Sequence, residues 1–306
     1  MDHLTTIIIN YNTTEDTNEC LESLSQLTEN KHFKHQIIIV DNGSKIPYSV
    51  PEDVGNLKIK LIHSEKNLGF TGGNNLGISD AIKTFQTDYI LLLNSDTVVD
   101  KDFLNYLYKP LKEDSTAVIS SPKIYFYKNN EYHKKSYSKE QRGNVVWYAG
   151  GNIDWQHLTA HHRGVDEVDR EQFNSLTTSD FATGCCLLFK RELIERVGIF
   201  DKNYFLYLED VDLSKRATLN GLKLLFIPQS LVWHKNASSS DGSGGKTHDY
   251  YLTRNRFYFF LKYGNWKIRL LALKLIIDII LKESGIKKRA ILDLLLGRMG
   301  KQTILG

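Results

Sequence analysis

The stretch "DYILLLNSDTVVD", residues 88–100, decides how the chain is read. Residues 90–93 form an apolar run too short for a helix of its own and read as a strand buried on both faces. The run stops on Asn94-Ser95-Asp96, so a carboxylate is aimed out of the tip of the most buried kind of element. Two readings fit. Asp96 is a turn former or the cap of a following helix, since "NSDT" precedes "VVDKDFLNYL". Alternatively it is an oxygen ligand for a hard cation such as Mg²⁺ or Mn²⁺, which takes carboxylates together with a bound ligand's phosphates.

Upstream the same pattern recurs. "TTIIINY" (5–11) reads as a strand and "EDTNECLESLSQL" (15–27) as a helix. "QIIIVDNGS" is a second strand ending at Asp41 and "LKIKLIHS" a third. "NNLGISDAIKTF" follows as a helix, and "YILLLNSD" is the fourth strand. This β-α-β-β-α-β rhythm predicts an α/β fold with a largely parallel sheet under helices. Ligands of such sheets sit beyond the carboxyl ends of the strands. Asn10-Tyr11-Asn12, Asp41-Asn42-Gly43 and Asn94-Ser95-Asp96 all fall at such ends, so one crevice should collect them. Taken alone, "DNGS" at Asp41 makes an equally good turn.

"NLGFTGGNNLG" (67–77) is Gly-rich and opens a helix, but matches neither GxGxxG nor GxxxxGK. That disfavours dinucleotide and nucleoside triphosphatase sites, while its glycines permit close approach to a nucleotide or sugar. Downstream of the strand, apolar periodicity fades between 127 and 178, a Tyr-, His- and Gly-rich segment read as loops and irregular strands over the active face. "FATGCCLLFKRELIERVG" then gives a strand and a short helix, and "YFLYLEDVDLSKRATLNG" a second helix. "LKLLFIPQSLVWHK" gives two short strands. "SSSDGSGGK" (238–246) is expected to be a flexible lid. "LEDVDLSKR" crowds Glu209, Asp210 and Asp212 into one turn, either as a solvated acidic helix start or as the seat of a general base. His234 ends a strand, where it is a packed core histidine or a metal ligand.

The balance of 41% hydrophobic and 25% charged residues over 306 positions allows a sizeable core. Net charge is +3, but residues 265–306 hold nine Lys/Arg against three Asp/Glu, a local +6. The body is therefore no nucleic-acid surface, and the tail is expected to form a helical pair against the body or a second subunit, or to lie on an anionic membrane. Three cysteines, two of them adjacent, make no disulfide framework and favour a reducing compartment. With neither a signal peptide nor a membrane span expected, the reading is cytoplasmic, peripheral on the inner face of the plasma membrane.

The ordered series "IIINYN", "VDNGS", "NLGFTGGNNLG", "LLLNSDT", "ATGCCLLFKRE", "GIFDKNYFLYLEDVDLSKR" and "GLKLLFIPQSLVWHK" resembles the family 2 inverting glycosyltransferases of GT-A fold, especially their bacterial rhamnosyltransferase-like branch. The resemblance runs from about Thr5 to Tyr263. It implies a catalytic domain over 1–263, with an acceptor-side segment over about 127–178, and a basic amphipathic helical appendage over 264–306. It further implies a nucleoside diphosphate sugar donor, with L-rhamnose from dTDP-rhamnose expected and galactofuranosyl or hexosyl transfer as the alternative. The implied acceptor is a glycan or lipid-linked glycan. Asp41 would contact the base, and Asn10, Asn12, Asn67, Gly69, Gly73, Asn74 and Asn94 would line the donor. Asp96 and His234 would hold Mn²⁺ or Mg²⁺, with Asn94 replacing the family's first DxD carboxylate and implying more phosphate-dependent metal binding. Asp210 would be the base, with Glu209 beside it. Arg254 and Arg256 of "TRNRF" would fork onto the diphosphate or lie on the surface of the last helix. A sugar-1-phosphate nucleotidyltransferase would need a basic Gly-rich signature where this chain has "NYNTTED". A non-catalytic glycan-binding relative would not need Asp96, Asp210 and His234 together.

Overall fold

Strands whose side chains are apolar on both faces must be covered on both faces, and the computed structural model, which describes residues 1–236 and 245–304, does this. The elements run β1 (Asp2–Asn10), α1 (Thr14–Ser25), β2 (Phe33–Asp41), β3 (Ile59–His63), α2 (Gly69–Phe85), β4 (Tyr89–Asn94), β5 (Thr97–Val99) and α3 (Phe103–Glu113). They continue with β6 (Ala117–Phe126), β7 (Val146–Tyr148), β8 (Gly151–Asp154), β9 (Thr159–His162), β10 (Thr177–Thr178), β11 (Cys186–Lys190), α4 (Arg191–Val197) and α5 (Glu209–Leu219). The last are β12 (Lys223–His234), α6 (Lys246–Tyr263), α7 (Trp266–Lys282) and α8 (Ile286–Leu295).

The main sheet is ordered β10-β12-β6-β11-β4-β1-β2-β3, with β5 and β7 added at β12 and β6. Neighbours β4-β1-β2-β3 and β12-β6 are parallel, and β11 is inserted antiparallel between β4 and β6. Alternate side chains enter two cores. Ile7, Ile38, Ile90 and Leu92 meet Ile78 and Ala81 of α2, Leu193 of α4 and Leu213 of α5. Ile8, Ile39, Leu91 and Leu93 face the opposite way, toward α1, α3, α6 and α7. The expected mostly parallel α/β sheet is therefore present.

Three local expectations are corrected. Helix α2 begins at Gly69, so most of the Gly-rich stretch is helix rather than a loop before it. Its glycines let the helix press on the sheet: a Cβ at Gly77 would stand 2.6 Å from Ile7 Cγ2. The segment after 222 is one strand, β12, with a bulge between Ile227 and Leu231 where Pro228 cannot donate to the ladder. The helix expected over 204–221 begins only at Glu209, because Phe205, Tyr207 and Leu208 take positive φ values of 71°, 70° and 66°. The stretch expected to be a lid, 238–246, lies outside the described residues up to 244.

The tail closes back on the body. Ala272 and Ile276 of α7 are buried in the main core. Tyr250 of α6 donates to Asp293 of α8 at 2.8 Å.

Candidate active site

Parallel register brings the strand ends level. Asn10 pairs with Asp41, Asp41 with His63, and Ile9 with Asn94. Asn10 is fully buried; its Nδ2 donates to Asp41 Oδ1 at 3.0 Å and Ser44 Oγ at 3.1 Å, and its Oδ1 accepts from Thr17 at 2.9 Å. Asp41 Oδ2 accepts from the Tyr48 N–H at 3.0 Å and stands 3.2 Å from His63 Nδ1. Burial alone would raise this carboxyl, but hydrogen bonds from Ser44, the Tyr48 amide, Asn10 and His63 outweigh it and hold Asp41 below the usual carboxylate range. Asn12, exposed with φ 57°, accepts from the Lys45 amide at 2.8 Å.

Asn42, marked in the sequence only as part of its polar strand tip, joins this crevice to the next element. Its Oδ1 accepts from the Leu68 N–H at 3.0 Å and its Nδ2 donates to the Gly69 carbonyl at 3.1 Å. Asn67 Oδ1 in turn accepts from the Gly69 N–H at 2.7 Å. Gly69, at φ 74°, lies so close under Phe205 that a Cβ there would overlap the Phe205 carbonyl oxygen. Asn74 is buried and donates to its own helix at the Phe70 carbonyl, and a Cβ at Gly73 would lie 3.3 Å from Ile9. Gly73 thus sits against the sheet.

Asp96 does not cap a helix. It ends a turn between β4 and β5, and β5 pairs antiparallel with the end of β12, Thr97 opposite His234. The ladder continues as the Lys235 N–H donates to the Asp96 carbonyl at 2.9 Å. That pairing places His234 Nε2 3.1 Å from Asp96 Oδ1, both side chains buried. An octahedral Mg²⁺ with ligands at roughly 2.1 Å has neighbouring ligands about 3.0 Å apart, so this separation suits one edge of such an ion. Among the described residues no group of three or more His, Cys, Asp or Glu could hold a metal. These two donors suit a hard cation that can take phosphate and water oxygens as further ligands. His234 Nδ1 is buried with no hydrogen-bond partner, and its ring meets Trp147 edge-on at 4.5 Å. Trp147 in turn touches the ring of His162 at 4.3 Å. Neither had been singled out; the only sequence signal was their place in the aromatic, His-rich segment.

The acidic pair opens α5. Asp210 Oδ2 accepts from the Gly184 N–H at 2.7 Å and its Oδ1 from the Val211 N–H at 2.8 Å. The next residue, Cys185, accepts from the Asn94 N–H at 2.8 Å through its carbonyl. Its thiol is pushed well up by burial first, then by the charge of Asp96, with Asp210 also contributing. Asn94, two residues before Asp96, and Asp210 thus both bind the short segment "GCC". Burial raises both carboxyls of the Glu209–Asp210 pair, but two amides favour ionised Asp210, while Glu209 Oε2 is buried with no partner. The charged form is therefore better held at Asp210 than at Glu209. Asp212 faces elsewhere, binding Arg216 at 2.8 Å, Lys262 at 2.7 Å and Tyr263 at 2.8 Å.

Arg254 is a correction. Neither a phosphate fork nor a surface residue, it is fully buried, and all five of its donors are used. They reach Asn255 Oδ1 at 3.0 Å and the carbonyls of Gly300 at 2.8 Å, Arg298 at 3.4 Å, Tyr204 at 2.9 Å and Asn203 at 3.2 Å. Asn255 Nδ2 takes the carbonyls of Tyr204, Leu206 and Tyr207. Together they pin the positive-φ loop that leads into Asp210. Arg256 is likewise spent on the carbonyls of His157 and Leu158.

A family model described as "Glycosyl transferase family 2" matches residues 5–198. The Haloferax volcanii "Low-salt glycan biosynthesis hexosyltransferase Agl10" is 25% identical over 224 residues, 73% of this chain and 64% of that protein. "Glycosyltransferase GlyG" of Streptococcus pneumoniae is 26% identical over 249 residues, 78% of this chain and 73% of that one. Among solved structures, GalNAc-T7 with UDP, GalNAc and Mn²⁺ superposes with a TM-score of 0.57 at 17% identity, over 88% of this chain and 54% of that one. At that identity the likeness is one of fold, the GT-A arrangement.

Proposed function

Because the chain belongs to glycosyl transferase family 2, we propose that it moves a sugar from a nucleoside diphosphate to a hydroxyl of a glycan or lipid-linked glycan, with inversion and with Mg²⁺ or Mn²⁺. The observation that carries this reading is the pairing of Asp96 with His234 at 3.1 Å, two residues beyond Asn94, whose N–H binds the Cys185 carbonyl next to the Gly184 amide that holds Asp210. When bound, the cation would act as a Lewis acid on the departing diphosphate. Asp96 and His234 would hold it, and buried strand ends would keep them rigid. Asp210 would take the proton from the acceptor hydroxyl as it attacks the anomeric carbon from the face opposite the diphosphate. Asn10, Asn12, Asp41, Asn67, Gly69 and Asn94 would form the nucleotide side.

L-Rhamnose from dTDP-rhamnose is the first donor proposed, on the motif order of the rhamnosyltransferase-like branch. A hexosyl donor is the second reading, favoured by the hexosyltransferase among the relatives. The test is a thermal-shift screen of dTDP-, UDP- and GDP-sugars with Mn²⁺, Mg²⁺ or chelator, followed by product analysis with the donor that binds. A melting temperature raised by one nucleotide sugar only when metal is present supports the reading. No shift with any donor under any metal condition overturns it.

A further inference from the structure

Helix α7 is apolar on two sides. Ala272 and Ile276 face the body, with Ile268, Leu271, Leu275 and Ile279 packed beside them. On the other side Trp266, Leu270, Leu273, Ile277 and Leu281 are exposed by 68, 57, 44, 56 and 75%. Their steps of three and four residues make one stripe. At 3.6 residues per turn it covers roughly 80° of arc, about half a turn from the buried side. Monomer surfaces seldom present so long a row of large apolar side chains.

The charges beside the stripe all have one sign except where paired. Lys267 and Lys274 border one edge and Arg269 the other. Among the described residues none of these three forms an ion pair, whereas Lys282 is held by Asp278 at 2.9 Å. Lys267 Nζ also lies 5.5 Å from the Trp266 ring centre. Lysine stems can run along an apolar surface while their charges reach phosphate level, and an indole suits the boundary between the two. No helix among the described residues is long and apolar enough to cross a membrane, so a membrane seat lies in the plane of the surface.

We propose that α7 is the docking face by which this protein sits on an anionic lipid surface, its outer stripe in the acyl boundary and Lys267, Arg269 and Lys274 among the headgroups. A second copy is the other conceivable occupant of an apolar face. A two-fold contact through the same stripe would gather six cations, three from each copy, along one seam, which charge complementarity with anionic lipid avoids. The inference stands apart from the sugar-transfer reading, since none of its residues belongs to the candidate active site.

The test is flotation of the full chain with vesicles of phosphatidylcholine alone and with phosphatidylglycerol added. The wild type should float only with the anionic vesicles. Leu270→Glu with Ile277→Glu should abolish flotation, and Lys267→Gln with Lys274→Gln should lower partitioning roughly thirtyfold, at about fivefold per cation. All four positions are exposed, and unchanged circular dichroism and melting temperature confirm that each variant is folded. The second pair decides the matter even if the first disturbs folding. The proposal is overturned if the wild type ignores anionic vesicles or if the lysine pair partitions as wild type. Sedimentation showing a dimer that the Leu270/Ile277 variant dissolves overturns it as well.

Discussion

Asp96 and His234 are 138 residues apart in the chain and 3.1 Å apart in space. The three-residue strand β5 closes that gap, because its pairing with β12 sets Thr97 opposite His234 and so turns Asp96 onto the imidazole. His234→Ala is expected to leave the fold standing and to weaken metal-dependent nucleoside diphosphate binding at least tenfold. Metal-free binding should be unaffected. Calorimetric titration with and without Mn²⁺ reads both. Equal loss in the two conditions would assign His234 to packing against Trp147 instead.

Asp210→Asn keeps the shape of the side chain but removes the basic oxygen. Transfer should fall by a factor of about 10²–10⁴, the usual worth of a positioned base. Donor affinity should stay within about twofold, because Asp210 touches Gly184 rather than the nucleotide side. Steady-state rates alongside a donor titration separate the two effects, and full activity in the variant would remove Asp210 from the mechanism.

Glu209 makes stability depend on pH in a stated direction. Burial, followed by the charge of Asp210, raises its folded-state carboxyl well above the ordinary value, so the folded chain holds this proton more tightly than the unfolded chain does. Stability is therefore lost as pH rises from the unfolded value toward the folded one. Glu209→Gln removes that loss and should stabilise the protein by roughly 1–3 kcal/mol near neutral pH. Below about pH 3, where the carboxyl is protonated in both states, the difference should close. Melting temperatures of both proteins across this range give the comparison. Since Asp210 is raised too, with burial the leading cause, the acid limb of the activity profile should lie above the usual carboxylate range.

Arg254→Lys tests the clamp behind the acidic pair. Lysine offers three donors and no planar fork, so carbonyls of the 203–208 loop or of residues 298–300 lose their partners. Each buried orphan costs about 1–3 kcal/mol, and a loss of roughly 2–4 kcal/mol is expected in denaturant unfolding. Activity should fall as well although no reacting group is altered, because Phe205, Tyr207 and Leu208 need an outside hold to keep positive φ.

Much of this molecule is visible in local spacing. Apolar runs of three to five residues ending on Asn10, Asp41 and Asn94 announce buried parallel strands, because both faces of such strands must be dry. Polar tips on those runs announce a crevice, because parallel strands end at one level. Asp96, Asp210 and His234 could each be picked out as chemically out of place, and the motif order joined them through a family likeness. What spacing conceals is how each side chain is used. Arg254 in "TRNRF" has the composition of a phosphate fork and became a structural clamp, since its five donors meet carbonyls that converge only after α6, the 203–208 loop and the end of the chain have packed together.

The tertiary structure alone decided three things. A three-residue strand chose His234 as the neighbour of Asp96, the positive-φ loop set where α5 begins, and the Gly184 amide, 26 residues away, favours the charged form of Asp210. The physical reason is common to all three. Periodicity records which side of an element is dry, an i to i+2 or i+4 property. Register, loop conformation and the local field arise from groups that are distant in the chain and come within hydrogen-bonding reach only once it has closed on itself.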